Sequence, residues 1–249
     1  MGMVDENEER KKHWMAKENE KEKRNREECR KRMHSSVPKQ YLLIKEKPIL
    51  YYTLKAFEDS FIDEIILVVG EGEEDYCREN FIETYNFTKI TKIVVGGKER
   101  YHSVYNALKT IQTKDSIVFI HDGARPFVTK DILQRAYDTA DKYGACIVGV
   151  PVKDTIKIVG ADGVVQDTPN RNTLWSVQTP QVFSFEKIKC AYENMMTQEK
   201  NGELKLSITD DAMVMENFGD VAVCVTMGAY ENIKITTPED LFFAEQLLK

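Results

Sequence analysis

Two short stretches of this sequence carry residue types that bind phosphate groups. The first runs from Gly96 to Ser103 and contains the pair Gly96-Gly97, followed by Lys98 and Arg100. Glycine lets a backbone approach a ligand closely, and cationic side chains beside a helix N-terminus attract anions. The pattern is typical of a phosphate or nucleotide site. The alternative is a turn followed by an ordinary helix cap.

The second stretch, His121 to Pro126, follows an apolar run and begins with His121-Asp122. An acidic side chain at the end of a strand is suited to Mg²⁺, which takes one or two protein oxygens and completes its shell with phosphate and water. Arg125 has the planar fork that grips a phosphate with two hydrogen bonds. The alternative is an aspartate that caps the next turn beside a surface arginine.

Three other residues are weaker candidates by themselves. Lys39 follows a proline, and Lys234 lies in Asn232-Ile233-Lys234, but a single lysine is usually only solvated. Thr209 precedes two aspartates, which favours a helix start over a hydroxyl aimed at a ligand. The four histidines have no metal-ligand spacing, and no Walker loop or intact dinucleotide-binding fingerprint is present.

The elements that must position these residues alternate along the chain. Helical patterns occur at 48–57, 75–85, 103–111, 129–143, 186–196, 210–216 and 238–248. Short apolar runs typical of strands occur at 64–69, 92–95, 116–120, 145–150 and 221–226. This order predicts an α/β fold with a doubly wound, mostly parallel, Rossmann-like sheet. Ligands of such sheets bind at the carboxyl ends of the strands, where both phosphate-binding stretches lie.

The region 152–183 departs from this alternation. Two β-prone runs, at 155–159 and 164–168, flank the turn sequence Gly160-Ala161-Asp162-Gly163. The pattern predicts a hairpin inserted into the domain. Such an insertion is often an arm that reaches a partner subunit.

The chain has 249 residues and a formal net charge of -6, which argues against a general nucleic-acid binder. Residues 1–34 are almost wholly polar or charged, so we expect a separate charged segment there and one domain over 35–249. No apolar run reaches the roughly 18 residues of a membrane span, and none near the N-terminus suggests a secretory signal. The scattered cysteines favour a reducing cytoplasm.

Together the motifs resemble those of the 2-C-methyl-D-erythritol 4-phosphate cytidylyltransferase family, in the same order. They are SSVPKQYL (35–42), GGKERYHSV (96–104), HDGARPF (121–127), PVKDTIK (151–157), RNTLWSVQTPQVF (171–183), TDDA (209–212) and ENIKITTPEDL (231–241). The resemblance implies a Mg²⁺-dependent enzyme that joins CTP and 2-C-methyl-D-erythritol 4-phosphate and releases pyrophosphate. It also implies a nucleotide-diphospho-sugar transferase fold and a homodimer formed through the arm at 152–183.

The resemblance also implies roles for particular residues. Residues that stabilise the transferring phosphate would be Arg32, Lys39 and Lys234. Residues that bind the nucleotide and its metal would be Gly97, Ser103, Asp122 and Ala124, with Asp122 as the Mg²⁺ ligand. Residues that line the methylerythritol phosphate pocket would be Arg125, Thr155, Arg171, Thr179 and Thr209, with Arg171 reaching into the partner's site.

Two alternatives stay open at this point. One is the related family that charges ribitol 5-phosphate with CTP, although PVKDTIK, RNTLW and TDDA favour methylerythritol. The other is a catalytically impaired dimeric scaffold. The family begins with an apolar strand and a loop L-A-A-G-x-G-x-R-M; here Arg32 and Met33 match, but Glu28 and Arg30 stand at the glycine positions. A backbone without those glycines cannot approach a triphosphate as closely.

Overall fold

The computed structural model describes residues 38–248, and over that range the fold is α/β with helices on both faces of a mixed sheet. The strands are β1 (Leu43–Ile44), β2 (Lys47–Pro48), β3 (Ile65–Val69), β4 (Ile90–Val95), β5 (Ile117–Ile120), β6 (Ala145–Pro151), β7 (Ile158–Val159), β8 (Val165–Asp167), β9 (Trp175–Ser184) and β10 (Cys224–Met227). The α-helices are α1 (Ile49–Glu58), α2 (Glu74–Cys77), α3 (Arg100–Leu108), α4 (Lys130–Tyr143), α5 (Phe185–Lys200), α6 (Asp211–Phe218) and α7 (Pro238–Leu247). Short 3₁₀ helices occur at Lys39–Tyr41 and Arg171–Thr173, and α2 continues as a π-helix over Arg78–Glu83.

The main sheet has four strands in the order β10-β6-β9-β5. Strand β10 runs parallel to β6, while β9 runs antiparallel to both of its neighbours, β6 and β5. Three of the four strands therefore point the same way and only β9 is reversed, which confirms the predicted, mostly parallel sheet. Strands β3 and β4 form a separate parallel pair. Among residues 38–248, β3 pairs only with β4 and β5 only with β9.

Alternate residues of the main sheet face two different sets of helices, as side chains of a strand must. Along β5, Ile117 and Phe119 pack with helices α1 and α4, whereas Val118 and Ile120 pack with α3, α5 and α6. Helix α4 matches its prediction closely. Thr129 caps its start by accepting from the Ile132 amide, and Gly144 ends it in the left-handed conformation at φ 89°.

Helix α1 links the two sheets and reaches the loop after β5. Leu50 and Leu54 pack in the core of the β3–β4 pair, while Phe57 packs in the core shared with α4. The Thr53 hydroxyl donates to the Gly123 carbonyl at 3.0 Å. Helix α1, which packs in both of these cores, therefore sets the position of the loop that carries Asp122.

Several predicted boundaries move. Helix α3 begins at Arg100 and not at Ser103, because a capping box precedes it. The Glu99 side chain accepts from the His102 amide, and the Glu99 amide donates to His102 Nδ1. Strand β10 begins at Cys224, three residues after the predicted start. The hairpin β1–β2 was not predicted, because its turn residues Lys45 and Glu46 have positive φ without being glycine or asparagine.

The predicted hairpin is present as strands β7 and β8, which pair antiparallel and expose their side chains. The predicted arm range also takes in most of β9, which lies in the middle of the main sheet and is buried from Gln178 to Phe183. The part of the predicted arm that lies outside the main sheet therefore ends before Trp175. The charged segment 1–34 lies outside the described residues. Within residues 38–248, no helix is long and apolar enough to cross a membrane.

Candidate active site

The loop after β5 places one carboxylate between two cationic side chains. The Asp122 carboxylate lies 2.9 Å from the Lys234 ammonium and 3.5 Å from Arg125 Nε. Lys234 follows β10 in the chain and is 38% exposed, whereas Arg125 is mostly buried. The predicted catalytic lysine, metal ligand and phosphate-binding arginine thus meet at the carboxyl end of β5.

Three chain segments hold this cluster by hydrogen bonds. The Asp122 amide donates to the Thr179 hydroxyl at 3.1 Å, and Arg125 donates to the Asn232 carbonyl at 2.9 Å. The Asn232 side chain, which is fully buried, donates to the Thr179 carbonyl at 3.0 Å. The buried Ala124 accepts at its carbonyl from the Ile235 amide at 2.9 Å. The end of β5, the middle of β9 and the 232–235 segment are therefore joined in one hydrogen-bonded unit.

Charge and burial act in opposite directions on this cluster. Burial alone would raise the pKa of the Asp122 carboxyl, but the nearby Lys234, with Arg100 further off, outweighs it and holds the pKa well below its ordinary value. Asp122 is therefore ionised at neutral pH. Desolvation of the neighbouring, half-buried His121 lowers its pKa to about 4, and it stays neutral with Nε2 3.0 Å from the Arg125 carbonyl.

The donor set near Asp122 decides which cation fits. Residues 38–248 contain no group of three or more histidine, cysteine, aspartate or glutamate side chains that could hold a metal ion. A single ionised carboxylate suits a hard cation that takes most of its ligands from phosphate and water, as Mg²⁺ does. A zinc site, which needs three or four protein ligands, does not fit these residues.

The glycine pair after β4 folds tightly onto the first turn of α3. The Gly97 amide donates to the Ser103 hydroxyl at 3.0 Å, and the Gly96 amide donates to the Val69 carbonyl at 2.8 Å. A Cβ on Gly97 would lie 2.4 Å from the Cβ of His102, so no larger residue fits without moving the loop. Two predicted nucleotide-binding residues, Gly97 and Ser103, therefore lie side by side.

The remaining predicted residues are more scattered. Lys39 opens the 3₁₀ helix Lys39–Tyr41, and Arg32 lies outside the described residues. Thr155 and Arg171 are exposed in the arm, where Arg171 donates to the Lys153 carbonyl at 2.9 Å. Thr209 is exposed before α6; its neighbour Asp210 caps that helix by accepting from Met213, as the helix-start interpretation expected.

A second buried carboxylate joins the two predicted subsites. Asp211, the first residue of α6, accepts two hydrogen bonds from Arg100, the first residue of α3, at 2.9 and 2.6 Å. The Tyr192 hydroxyl donates to the same carboxylate at 2.6 Å. Sequence reasoning noted Arg100 only as a source of positive charge and missed Asp211 and Asn232. The only sequence signal for them was their position inside the TDDA and ENIK motifs.

Comparison with known proteins shows which family this chain resembles. The family model described as IspD: 2-C-methyl-D-erythritol 4-phosphate cytidylyltransferase matches residues 29–249. A protein of that name from Lachnoclostridium phytofermentans is 47% identical over 219 residues, covering 88% of this chain and 91% of its own. Another of that name, from Alkaliphilus oremlandii, is 49% identical over 220 residues, covering 88% of this chain and 90% of its own.

Solved structures give the same result. The crystal structure of 4-diphosphocytidyl-2C-methyl-D-erythritol synthase from Anaerococcus prevotii superposes with a TM-score of 0.74 at 34% identity, covering 87% of this chain and 92% of its own. The 2-C-methyl-D-erythritol 4-phosphate cytidylyltransferase of Francisella tularensis gives a TM-score of 0.72 at 32% identity, covering 85% and 94%. The recognition made from motifs is confirmed, and this chain belongs to the 2-C-methyl-D-erythritol 4-phosphate cytidylyltransferase family.

Proposed function

We propose that this chain joins CTP to 2-C-methyl-D-erythritol 4-phosphate, giving 4-diphosphocytidyl-2-C-methyl-D-erythritol and pyrophosphate in isoprenoid precursor synthesis. The observation that carries the proposal is the Asp122–Lys234–Arg125 cluster at the carboxyl end of β5, in a chain of this family. An oxygen of the polyol phosphate attacks the α-phosphorus of CTP. The bond from that phosphorus to the bridging oxygen breaks, and pyrophosphate leaves with the electron pair.

The protein's part in this transfer is to position two anions and offset their charge, with no covalent intermediate. Lys234, with Lys39 and Arg32, stabilises negative charge that builds on the transferring phosphate. Gly97, Ser103 and Ala124 bind the nucleotide with backbone and hydroxyl groups. Asp122 would hold Mg²⁺, which when bound would offset negative charge on the phosphate oxygens. The ionised state of Asp122 at neutral pH supports that role.

The second substrate is bound by the remaining predicted residues. Arg125 and Thr179 lie against Asp122, where they would meet the polyol phosphate. Thr209 is two positions before Asp211, the partner of Arg100, in the chain. Thr155 and Arg171 would act from the arm, on the partner's site of a homodimer. The exposed apolar side chains of the arm, such as Ile158 and Val165, support burial against a second copy.

The location proposed is the cytoplasm. Cys77, Cys146, Cys190 and Cys224 are all free thiols, which a reducing compartment preserves.

One specific observation favours a second candidate function, a dimeric scaffold that binds CTP poorly. Glu28 and Arg30 occupy positions where the family has glycines that let its loop wrap the triphosphate. A carboxylate at that place repels phosphate, and a side chain keeps the backbone at a distance.

The test is pyrophosphate release from the purified full chain with CTP, Mg²⁺ and 2-C-methyl-D-erythritol 4-phosphate, and with ribitol 5-phosphate in a parallel arm. Release with the first substrate only supports the proposed function. Release with ribitol 5-phosphate would assign the related activity. A folded protein that releases none with either substrate and shows weak CTP binding by calorimetry would establish the scaffold instead.

A further inference from the structure

The pair Arg100–Asp211 connects the start of α3 with the start of α6. Arg100 follows the glycine loop that the nucleotide is expected to contact, and Asp211 follows Thr209 on the polyol phosphate side. Two nitrogens of the guanidinium donate to the two carboxylate oxygens, at 2.9 and 2.6 Å. This fork-to-fork geometry fixes the orientation of the guanidinium plane as well as its position.

The two partners differ sharply in exposure. The Asp211 side chain is completely buried, whereas the Arg100 side chain is 36% exposed. A guanidinium has five N–H donors, and this pair uses only one edge of it. One edge of the Arg100 guanidinium is therefore held by a buried carboxylate, and the rest of the group is open to solvent.

That anchor is built from several further bonds. The Tyr192 hydroxyl donates to Asp211 at 2.6 Å, and the amides of Asp211 and Ala212 both donate to Gln181 Oε1 at 2.9 Å. Gln181 belongs to β9, the strand that also carries Thr179 beneath Asp122. The Arg100 guanidinium is thus tied to the same strand as the Asp122 cluster.

Arg100 also belongs to the electrostatic surroundings of Asp122. Arg100 is close enough to Asp122 for its charge to help hold that carboxyl ionised. Lys234 and Arg125 lie beside the Asp122 carboxylate, whereas Arg100 is paired with Asp211, which is preceded in the chain by a third carboxylate, Asp210. A purely structural pair gains little from charge, because apolar residues of similar volume usually stabilise a core as well or better. A partly exposed guanidinium whose orientation is fixed from inside the protein instead suits an anionic ligand.

We propose that Arg100 is a further phosphate-binding residue of this site, and that Asp211, Tyr192 and Gln181 are the positioning residues that aim it at the phosphoryl oxygens. The inference rests on the proposed function, because the ligand is one of its two anionic substrates. The phosphoryl group belongs either to the CTP triphosphate or to the polyol phosphate, and the experiment separates the two.

The variants are Arg100→Met, which removes the charge, and Arg100→Lys, which keeps the charge without the fork. The matched control is Arg135→Met, because Arg135 lies on α4 and donates to the Met227 carbonyl at 2.9 Å, away from the Asp122 cluster. Each full-length protein is titrated with CTP and with inorganic pyrophosphate by calorimetry. kcat and KM for both substrates follow from pyrophosphate release.

We expect Arg100→Met to weaken the binding of one substrate about tenfold or more, and Arg100→Lys to weaken that binding less. Arg135→Met should leave the affinity for both substrates unchanged. Loss confined to the CTP titration assigns Arg100 to the triphosphate; loss confined to the KM of the polyol phosphate assigns it to the monoester. A folded Arg100→Met protein with wild-type affinity for both substrates would overturn the inference. The Arg100–Asp211 pair would then have only a structural role. If Arg100→Met does not fold, the same comparison is made with Arg100→Lys.

Failure of the proposed function gives a different pattern. Wild-type protein that binds CTP or pyrophosphate without turnover contradicts the proposed function, while the titrations still decide the role of Arg100. Wild-type protein that binds neither CTP, pyrophosphate nor the polyol phosphate overturns the inference itself.

Discussion

Replacing Asp122 by asparagine removes the carboxylate on which the site is centred and keeps its size. The change leaves Lys234, which was 2.9 Å from the lost charge, and Arg125, which was 3.5 Å from it, without their counter-ion. Removing one partner of a fully buried pair costs about 3–5 kcal/mol. Because Lys234 is 38% exposed and water can solvate it, we expect a smaller loss of unfolding free energy, about 2 kcal/mol.

The pH dependence of that loss follows from the pKa of Asp122. Its pKa is lower in the folded protein than the unfolded value of about 3.9. The folded state therefore binds fewer protons, and the stability that Asp122 contributes is fully present above about pH 4. It is lost as the pH falls through the folded value. The difference in unfolding free energy between wild type and Asp122→Asn should accordingly be constant near neutral pH and shrink below about pH 4.

The effect on catalysis should be larger than the effect on stability. With Asp122 in its proposed role as Mg²⁺ ligand, its loss should lower kcat/KM about 10²-fold or more, equivalent to roughly 3 kcal/mol of transition-state stabilisation. The assay is pyrophosphate release, with urea unfolding measured on the same preparations. Asp59→Asn is the matched control, because Asp59 pairs with Lys55 at 2.5 Å on the exposed face of α1. It should change stability by less than about 1 kcal/mol and leave turnover intact.

A wild-type rate in a folded Asp122→Asn protein would refute the role of Asp122. If the unfolding free energy of Asp122→Asn equalled that of wild type at pH 7 and followed the same pH profile, the electrostatic reasoning would be contradicted separately. The two results are independent, because one concerns the ligands and the other only the protein's own charges.

Three other predictions follow from particular residues. Arg171→Ala should raise the KM for the polyol phosphate and leave the Kd for CTP nearly unchanged; equal loss of both in the kinetic and calorimetric measurements would indicate damage to a dimer instead. Gly97→Ala should weaken CTP binding by calorimetry, since the added Cβ would lie 2.4 Å from His102, and unchanged affinity would show that the loop does not contact the nucleotide. His121 has a folded pKa of about 4, below the unfolded value of about 6.5, so its contribution to stability is complete above pH 6.5 and is lost as the pH falls towards 4. Urea unfolding of wild type should therefore show a loss of up to about 3 kcal/mol over that range, and a folded His121→Gln variant that shows the same loss would contradict it.

The sequence by itself determined the order and type of most elements. Helix α4 is an example, because its apolar spacing, its threonine cap and the glycine at its end are all local signals. The hairpin of the arm was predictable from its Gly/Asp turn for the same reason. The hairpin β1–β2 was not, since its turn at Lys45-Glu46 is held by the surrounding structure against the ordinary preference of those residues.

The sequence also predicted most residues of the candidate site, some from their types and the others only from the order of the motifs. Asp122 and Arg125 are neighbours in the chain, and their types alone indicated phosphate and metal chemistry. Lys234 gave no signal of its own, because a lysine acquires a role only when a carboxylate lies within reach. That carboxylate is supplied by the loop after β5, on a different part of the chain.

Tertiary structure alone decided which distant residues meet. Arg100 and Asp211 are 111 positions apart, and Arg125 and Asn232 are 107 apart, yet each pair is joined by hydrogen bonds of 2.9 Å or less. Strand β9 makes both meetings possible, because it runs through the main sheet and bonds to Asp122 through Thr179 and to α6 through Gln181. Local propensity acts over a few residues, whereas burial of a charged side chain requires partners that only the packed sheet and helices bring together.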